Sequence, residues 1–161
     1  MSSELSEMGH RVGAAVQLYQ AAVATYDRET ARILGVGAND QSCLELVLGA
    51  PDGITPRELA DRLGFTTGSV TTMIDRLEHK GYLTRHDHPT DRRRVLVRAT
   101  SLLSERIVAL IQPMLDGATT NVLARFTDQE LDAVVRFMQA STANQQEHTE
   151  QLRSVPAFSG T

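Results

Sequence analysis

The chain has 161 residues, 41% of them hydrophobic and 22% charged, with a formal net charge of −4 and a single cysteine, Cys43. That length suits one domain with a core of its own, or a small domain carrying long helices. No apolar run read along the chain approaches the roughly 18 residues of a membrane span, one cysteine excludes an intramolecular disulfide, and MSSELSEMGH lacks the basic start and apolar core of a secretory signal, so a reducing cytoplasm is the expected location.

Over residues 5–34 the apolar side chains Leu5, Met8, Val12, Val16, Tyr19, Val23, Tyr26 and Ile33 recur at steps of three and four, with one internal Gly13 and no proline. This period predicts one long amphipathic helix. After GVGAND, the run QSCLELVLGAPDG predicts a shorter helix ended by Gly49 and Pro51.

ITPRELADRLG then carries a complete start signal. Thr55 can cap the Glu58 amide while Glu58 reaches back, Pro56 occupies the first helical position, and Ile54 can close over Leu59. A helix over residues 55–63 follows, and Gly64 suits its left-handed end. After a single Phe65, Thr66 or Thr67 can cap TTGSVTTMIDRLEHKG, whose Val70, Ile74 and Leu77 share a face before Gly81. Two short helices so tightly joined predict a helix-turn-helix.

The next stretch, YLTRHDHPTDRRRVLVRAT, predicts a strand near residues 82–85, a polar loop over residues 86–93 and a strand over residues 95–99 with Val95, Val97 and Ala99 on one face. Such a hairpin beside a helix-turn-helix is a wing. Arginines stand where its tip meets the second strand. Residues 54–100 hold nine Lys and Arg against six Asp and Glu, a balance of +3 that leaves −7 for the rest of the chain. A basic centre in an acidic frame fits a nucleic-acid surface on a molecule whose other parts serve assembly, although a solvated arginine face gives the same count.

ITPRELADRLGFTTGSVTTMIDRLEHKGYLTRHDHPTDRRRVLV resembles the winged helix-turn-helix of the MarR family of bacterial transcriptional regulators, including its D-x-R wing signature as Asp91-Arg92-Arg93. The end of the second wing strand and the residues just after it depart from the family's habit, with Ala99 and Leu103. The resemblance implies a mainly α fold with a small β-hairpin wing, made of a DNA-binding domain over residues 36–100 between an N-terminal dimerisation helix over residues 1–34 and C-terminal dimerisation helices over residues 101–152. The latter would comprise residues 101–125 and a helix begun by Phe126, Thr127, Glu130 and Leu131, which repeat the staple and capping box. Residues 153–161 read as a disordered tail.

A recognition helix offers its N-terminal side chains to the major groove. Here these are Thr67, Ser69, Thr71 and Thr72, with Arg76 farther along, where it can instead hold Asp75 or Glu78. Short hydroxyl-bearing side chains suit phosphates, bridging waters and thymine methyls. The family resemblance makes Arg93 the residue inserted into an A·T-rich minor groove and Asp91 the carboxylate orienting it, with Arg92 and Arg94 on phosphates. Arg98 reads as cover for the outer face of the hairpin. One wing domain covers a half-site, so the expected partners are double-stranded DNA and a second copy of the chain. The resemblance adds a small aromatic or phenolic effector. No residue identifies it, and Arg11, Gln17 and Tyr19 read as solvated.

Cys43, beside Leu44 and Leu46 with no cation nearby, reads as a buried core thiol. His79, His86 and His88 read as wing-side residues rather than metal ligands, since a tip aimed outward closes no coordination shell, and His148 as part of a solvated helical end. No cofactor is implied. No phosphate-cradling glycine loop or nucleophile elbow points to an enzyme. A winged helix serving protein contact is the other class to weigh, but it calls for an apolar recognition face where this one is rich in threonine.

Overall fold

The structure is a computed structural model that describes residues 2–91 and 94–156. Among the described residues six α-helices and one hairpin follow in order: α1 Ser2–Leu34, α2 Ala38–Leu48, α3 Pro56–Leu63, α4 Thr67–His79, β1 Leu83–Asp87, β2 Val95–Ala99, α5 Ser101–Gly117 and α6 Asp128–Arg153. The chain forms two compact units, Met1–Leu110 and Ile111–Thr161. In the first, α1 belongs with the winged helix, for Leu34 lies in its core and the Tyr26 hydroxyl donates to the Leu110 carbonyl at 2.8 Å.

The core of the first unit is a knot of aliphatic side chains from every element around the helix-turn-helix. Leu44 and Val47 of α2, Leu59 of α3, Val70, Ile74 and Leu77 of α4, Val97 of β2 and Leu103 of α5 are all fully buried. Each such side chain contributes about 1.5–3 kcal/mol of transfer free energy, so the packing fixes the helices relative to one another. Leu103, where the sequence departs from the family's habit, fills this core, and Thr100 starts α5 by accepting from the Leu103 amide at 3.2 Å while donating to the Gly81 carbonyl at 2.7 Å.

The local signals act as their chemistry requires. Thr55 accepts from the Glu58 amide at 3.2 Å, and the Thr55 amide and hydroxyl donate to Glu58 Oε2 at 2.9 and 2.6 Å. Gly64 ends α3 at φ +70°, where a side chain would be strained. Thr66 caps α4 through the Ser69 amide at 3.2 Å. α2 begins three residues earlier than its apolar period suggests, at Ala38, because Asn39 and Asp40, read as loop, form its first turn.

The wing strands pair antiparallel with Leu83 opposite Ala99 and Asp87 opposite Val95, so β1 runs to Asp87 rather than stopping at Arg85. The sequence gives no sign of a third partner. Ile54 bridges Val97 through N–H···O bonds of 3.0 and 2.8 Å, which buries Leu96 as well as Val97 where simple alternation expects only one covered face. At the preceding turn Gly53 takes φ +95°, and a Cβ there would lie 3.1 Å from Leu96 Cβ. Arg98 donates to the Asp52 carbonyl at 3.2 and 3.0 Å, which laces this turn to β2 rather than merely covering the hairpin.

Two expectations for the C-terminal region are corrected. Residues 101–125 do not form one regular helix: α5 contains Pro113, which has no N–H, and it gives way to a π-helical turn, Ala118–Val122, and a 3-10 turn, Leu123–Arg125. Thr119 and Thr120 donate to the Leu115 and Asp116 carbonyls at 3.1 and 2.8 Å, competing for the backbone acceptors where the winding changes. Second, Ser101–Arg125 holds an 18-residue window of mean hydropathy 1.2, long and apolar enough by length and composition to cross a membrane. α6 begins with the expected capping box, Thr127 and Glu130, and runs on to Arg153.

The Thr55 cap makes a pH-dependent contribution. Its hydroxyl and amide hold the Glu58 carboxyl below the ordinary carboxylate range, so the folded state prefers the charged form. That contribution is present above the unfolded value of about 4.3 and is lost as pH falls through the lower folded one. Thr55→Ala is expected to cost about 1–2 kcal/mol in denaturant titrations at pH 7, with the gap to wild type narrowing in acid. A gap that stays constant down to pH 2 contradicts the assignment.

Candidate nucleic-acid interface

One seam of α4 faces the core through Val70, Met73, Ile74 and Leu77. The helical period therefore turns Thr67, Ser69, Thr71 and Thr72 to the exposed side, as the sequence predicts. Three of these hydroxyls are already engaged locally: Thr71 donates to the Thr67 carbonyl at 2.9 Å, Thr72 to the Gly68 carbonyl at 3.2 Å, and Ser69 Oγ lies 2.9 Å from Thr66 Oγ1. These bonds leave oxygen lone pairs and threonine methyls as what the face offers, which suits contact with donors and apolar groups more than donation to base acceptors.

Arg76 does not take the partner expected for it on its own helix. Its partner is neither Asp75 nor Glu78 on its own helix but Asp40 of α2, reached by Nε at 2.9 Å and by Nη2. The Asp40 side chain is 7% exposed and that of Arg76 49%, so the carboxylate is the buried partner of the fork. Asp75 and Glu78 are taken by Arg85 of β1, whose Nη2 donates to Asp75 Oδ1 at 2.7 Å and whose Nη1 donates to Glu78. The sequence reading missed both partners. Asp40 looked like a loop residue, and Arg85 gave no sign beyond its place in a strand facing α4.

In the wing, Asp91 and Arg94 are exposed, and the Arg94 amide donates to the Asp91 carbonyl at 2.9 Å. Arg92 and Arg93 lie outside the described residues, and with them the expected Asp91–Arg93 pair. His88 Nδ1 lies 3.4 Å from the Thr90 amide and 3.3 Å from its hydroxyl, inside the loop. Arg94 and Val95 line one side of a cleft of about 710 Å3, with Thr55, Pro56 and Arg57 of the α3 start on the other. Arg57, which the sequence reading left aside, thus joins the wing base in presenting positive charge. A second open cleft of about 530 Å3 lies between α1 and α2, with Ala24, Arg28 and Ala31 facing Val36, Gln41 and Glu45. Arg11, Gln17 and Tyr19 are exposed elsewhere on α1.

The sequence model of the MarR family matches residues 34–94. The HTH-type transcriptional regulator YcgE of Bacillus subtilis is 30% identical over 142 residues, 86% of this chain and 91% of that protein. The chain belongs to the MarR family. Among solved structures, E. coli MarR in its apo form is similar with a TM-score of 0.53 at 26% identity, over 78% of this chain and 94% of that one. S. aureus MepR in complex with DNA shares the fold with a TM-score of 0.54 at 16% identity, over 78% of this chain and 96% of that one. This MarR-family chain is a DNA-binding transcription regulator and not an enzyme.

Cys43 of this MarR-family regulator is fully buried, and burial, reinforced by the neighbouring Asp40 charge, pushes its thiol up to about 11. A group so protonated is a weak nucleophile at neutral pH. Thiol labelling at pH 7.5 is expected to be slow in the folded protein and rapid in denaturant. Fast labelling of the native protein contradicts the burial.

Proposed function

We propose that this regulator is a ligand-responsive repressor that binds a palindromic operator as a homodimer, with α4 of each copy in the major groove and a wing arginine in the minor groove. The observation that carries this reading is the exposed hydroxyl face of α4, held outward by a fully buried apolar seam beside an arginine-rich hairpin. Thr67, Ser69, Thr71 and Thr72 meet base edges through lone pairs and methyls, with base amino groups as donors and thymine the natural apolar contact. Arg93, oriented by Asp91, enters the minor groove, while Arg92, Arg94 and Arg57 take flanking phosphates.

The homodimer is supported by apolar surface that one copy leaves uncovered. In the second unit α6 has no buried residue along its 26 positions, yet carries Val134, Val135, Phe137 and Met138 on its surface, each 43–52% exposed. In the first unit Met8, Leu18, Tyr19 and Ile33 of α1 stand exposed as well. Contiguous apolar surface of this kind marks an interface. The same account serves the apolar stretch Ser101–Arg125, as a partner-facing segment in a protein that works on DNA in the cytoplasm. A small aromatic or phenolic effector fits the α1–α2 cleft, and it acts by binding the DNA-competent and incompetent states unequally.

Arg93→Ala is expected to weaken specific DNA binding about tenfold or more, a loss of ~1.4 kcal/mol, in fluorescence anisotropy, while sedimentation still shows a dimer and the melting temperature holds. Unchanged affinity removes the wing from the mechanism, and a folded monomer at micromolar concentration contradicts the dimer.

A further inference from the structure

Arg76 stands on the third turn of α4, and its guanidinium grips both oxygens of Asp40 on the first turn of α2. The pair links residues 36 positions apart in sequence. On a different flank of α4, Arg85 holds Asp75 and Glu78. The apolar seam decides which face of α4 turns outward, and a directional contact outside that core can oppose the small rotations that remain. A planar fork on a planar carboxylate is directional and resists them. Asp40 is itself held where α2 starts, a short turn after α1 ends at Leu34, so the fork refers the orientation of α4 to the α1–α2 corner.

We propose that the Asp40–Arg76 fork is the positioning strut of the recognition helix, fixing the rotation at which Thr67, Ser69, Thr71 and Thr72 are presented. The inference rests on the DNA-reading function proposed above. Nε and Nη2 of Arg76 are committed to the buried Asp40 carboxylate, which loses its partner unfavourably in a largely desolvated place. Arg76 and Asp40 are thus positioning residues. Arg57 and Arg94, in contrast, face an open cleft.

The test compares wild type, Asp40→Asn, Arg76→Ala and the double variant by fluorescence anisotropy, across a salt series, on a duplex spanning the DNA upstream of the protein's own gene and on a scrambled duplex. A strut predicts that each single change lowers specific affinity about tenfold. Binding to the scrambled duplex and the salt slope stay as in wild type, and the double variant is no worse than the weaker single one. Arg76→Lys keeps a charge opposite Asp40 but cannot form the fork, so it retains the wild-type melting temperature and loses specificity like Arg76→Ala. A salt slope reduced by about one in Arg76→Ala, with Asp40→Asn binding like wild type, makes Arg76 a phosphate contact and overturns the strut. Wild type without preference for either duplex counts against the proposed function instead. Hydrogen exchange then decides the strut: faster exchange in α4 but not α3 of Asp40→Asn upholds it, and unchanged exchange in α4 overturns it.

Discussion

The burial of one seam of a thirteen-residue helix governs most of what the first unit does. Val70, Met73, Ile74 and Leu77 of α4 meet Leu44, Leu59, Val97 and Leu103 in a single core. Because 3.6 residues make a turn, satisfying that core leaves no choice about which residues face outward. The hydroxyl face of α4 is the remainder of a packing solution. The wing is attached to the same solution through Val97, whose backbone is bridged by Ile54 and whose side chain is wholly buried. A change that loosens the seam therefore disturbs the recognition face and the wing together.

Charge then refines what packing leaves soft. Two ion-paired arginines tie α4 to other elements, Arg76 of α4 to Asp40 on α2 and Arg85 of β1 to Asp75 and Glu78. Exposed ion pairs contribute little to stability, and Arg153–Glu150 on α6 is of that kind, both side chains being 69% exposed. The Asp40 pair differs because its carboxylate is buried and its geometry bidentate. Its worth lies more in direction than in stability.

What could be read from the sequence was what depends on neighbours along the chain. Thr55 and Glu58, Thr127 and Glu130, and Gly64 announce helix boundaries because the interacting groups lie within one turn. The faces of α4 were legible for the same reason, and with them Thr67, Ser69, Thr71 and Thr72. Contacts made by distant residues were not. Asp40 looked like loop because Asn39 and Asp40 favour turns, and its partner lies 36 residues on. The Ile54–Val97 bridge joins positions 43 residues apart, with no side-chain signature of its own. The break after α5 escaped notice because Thr119 and Thr120 disturb a helix through backbone bonds that the apolar period does not register.

The central claim is that two copies of this chain read a symmetric DNA sequence through α4 and the wing. Selection of bound duplexes from a random-sequence pool by the purified protein tests it most directly, since it presumes no operator. The account predicts enrichment of a palindrome whose half-sites lie about one helical turn apart, roughly 10 base pairs, with A·T-rich steps where the wings reach the minor groove. Enrichment of an asymmetric single site, or no enrichment over the starting pool, would contradict it.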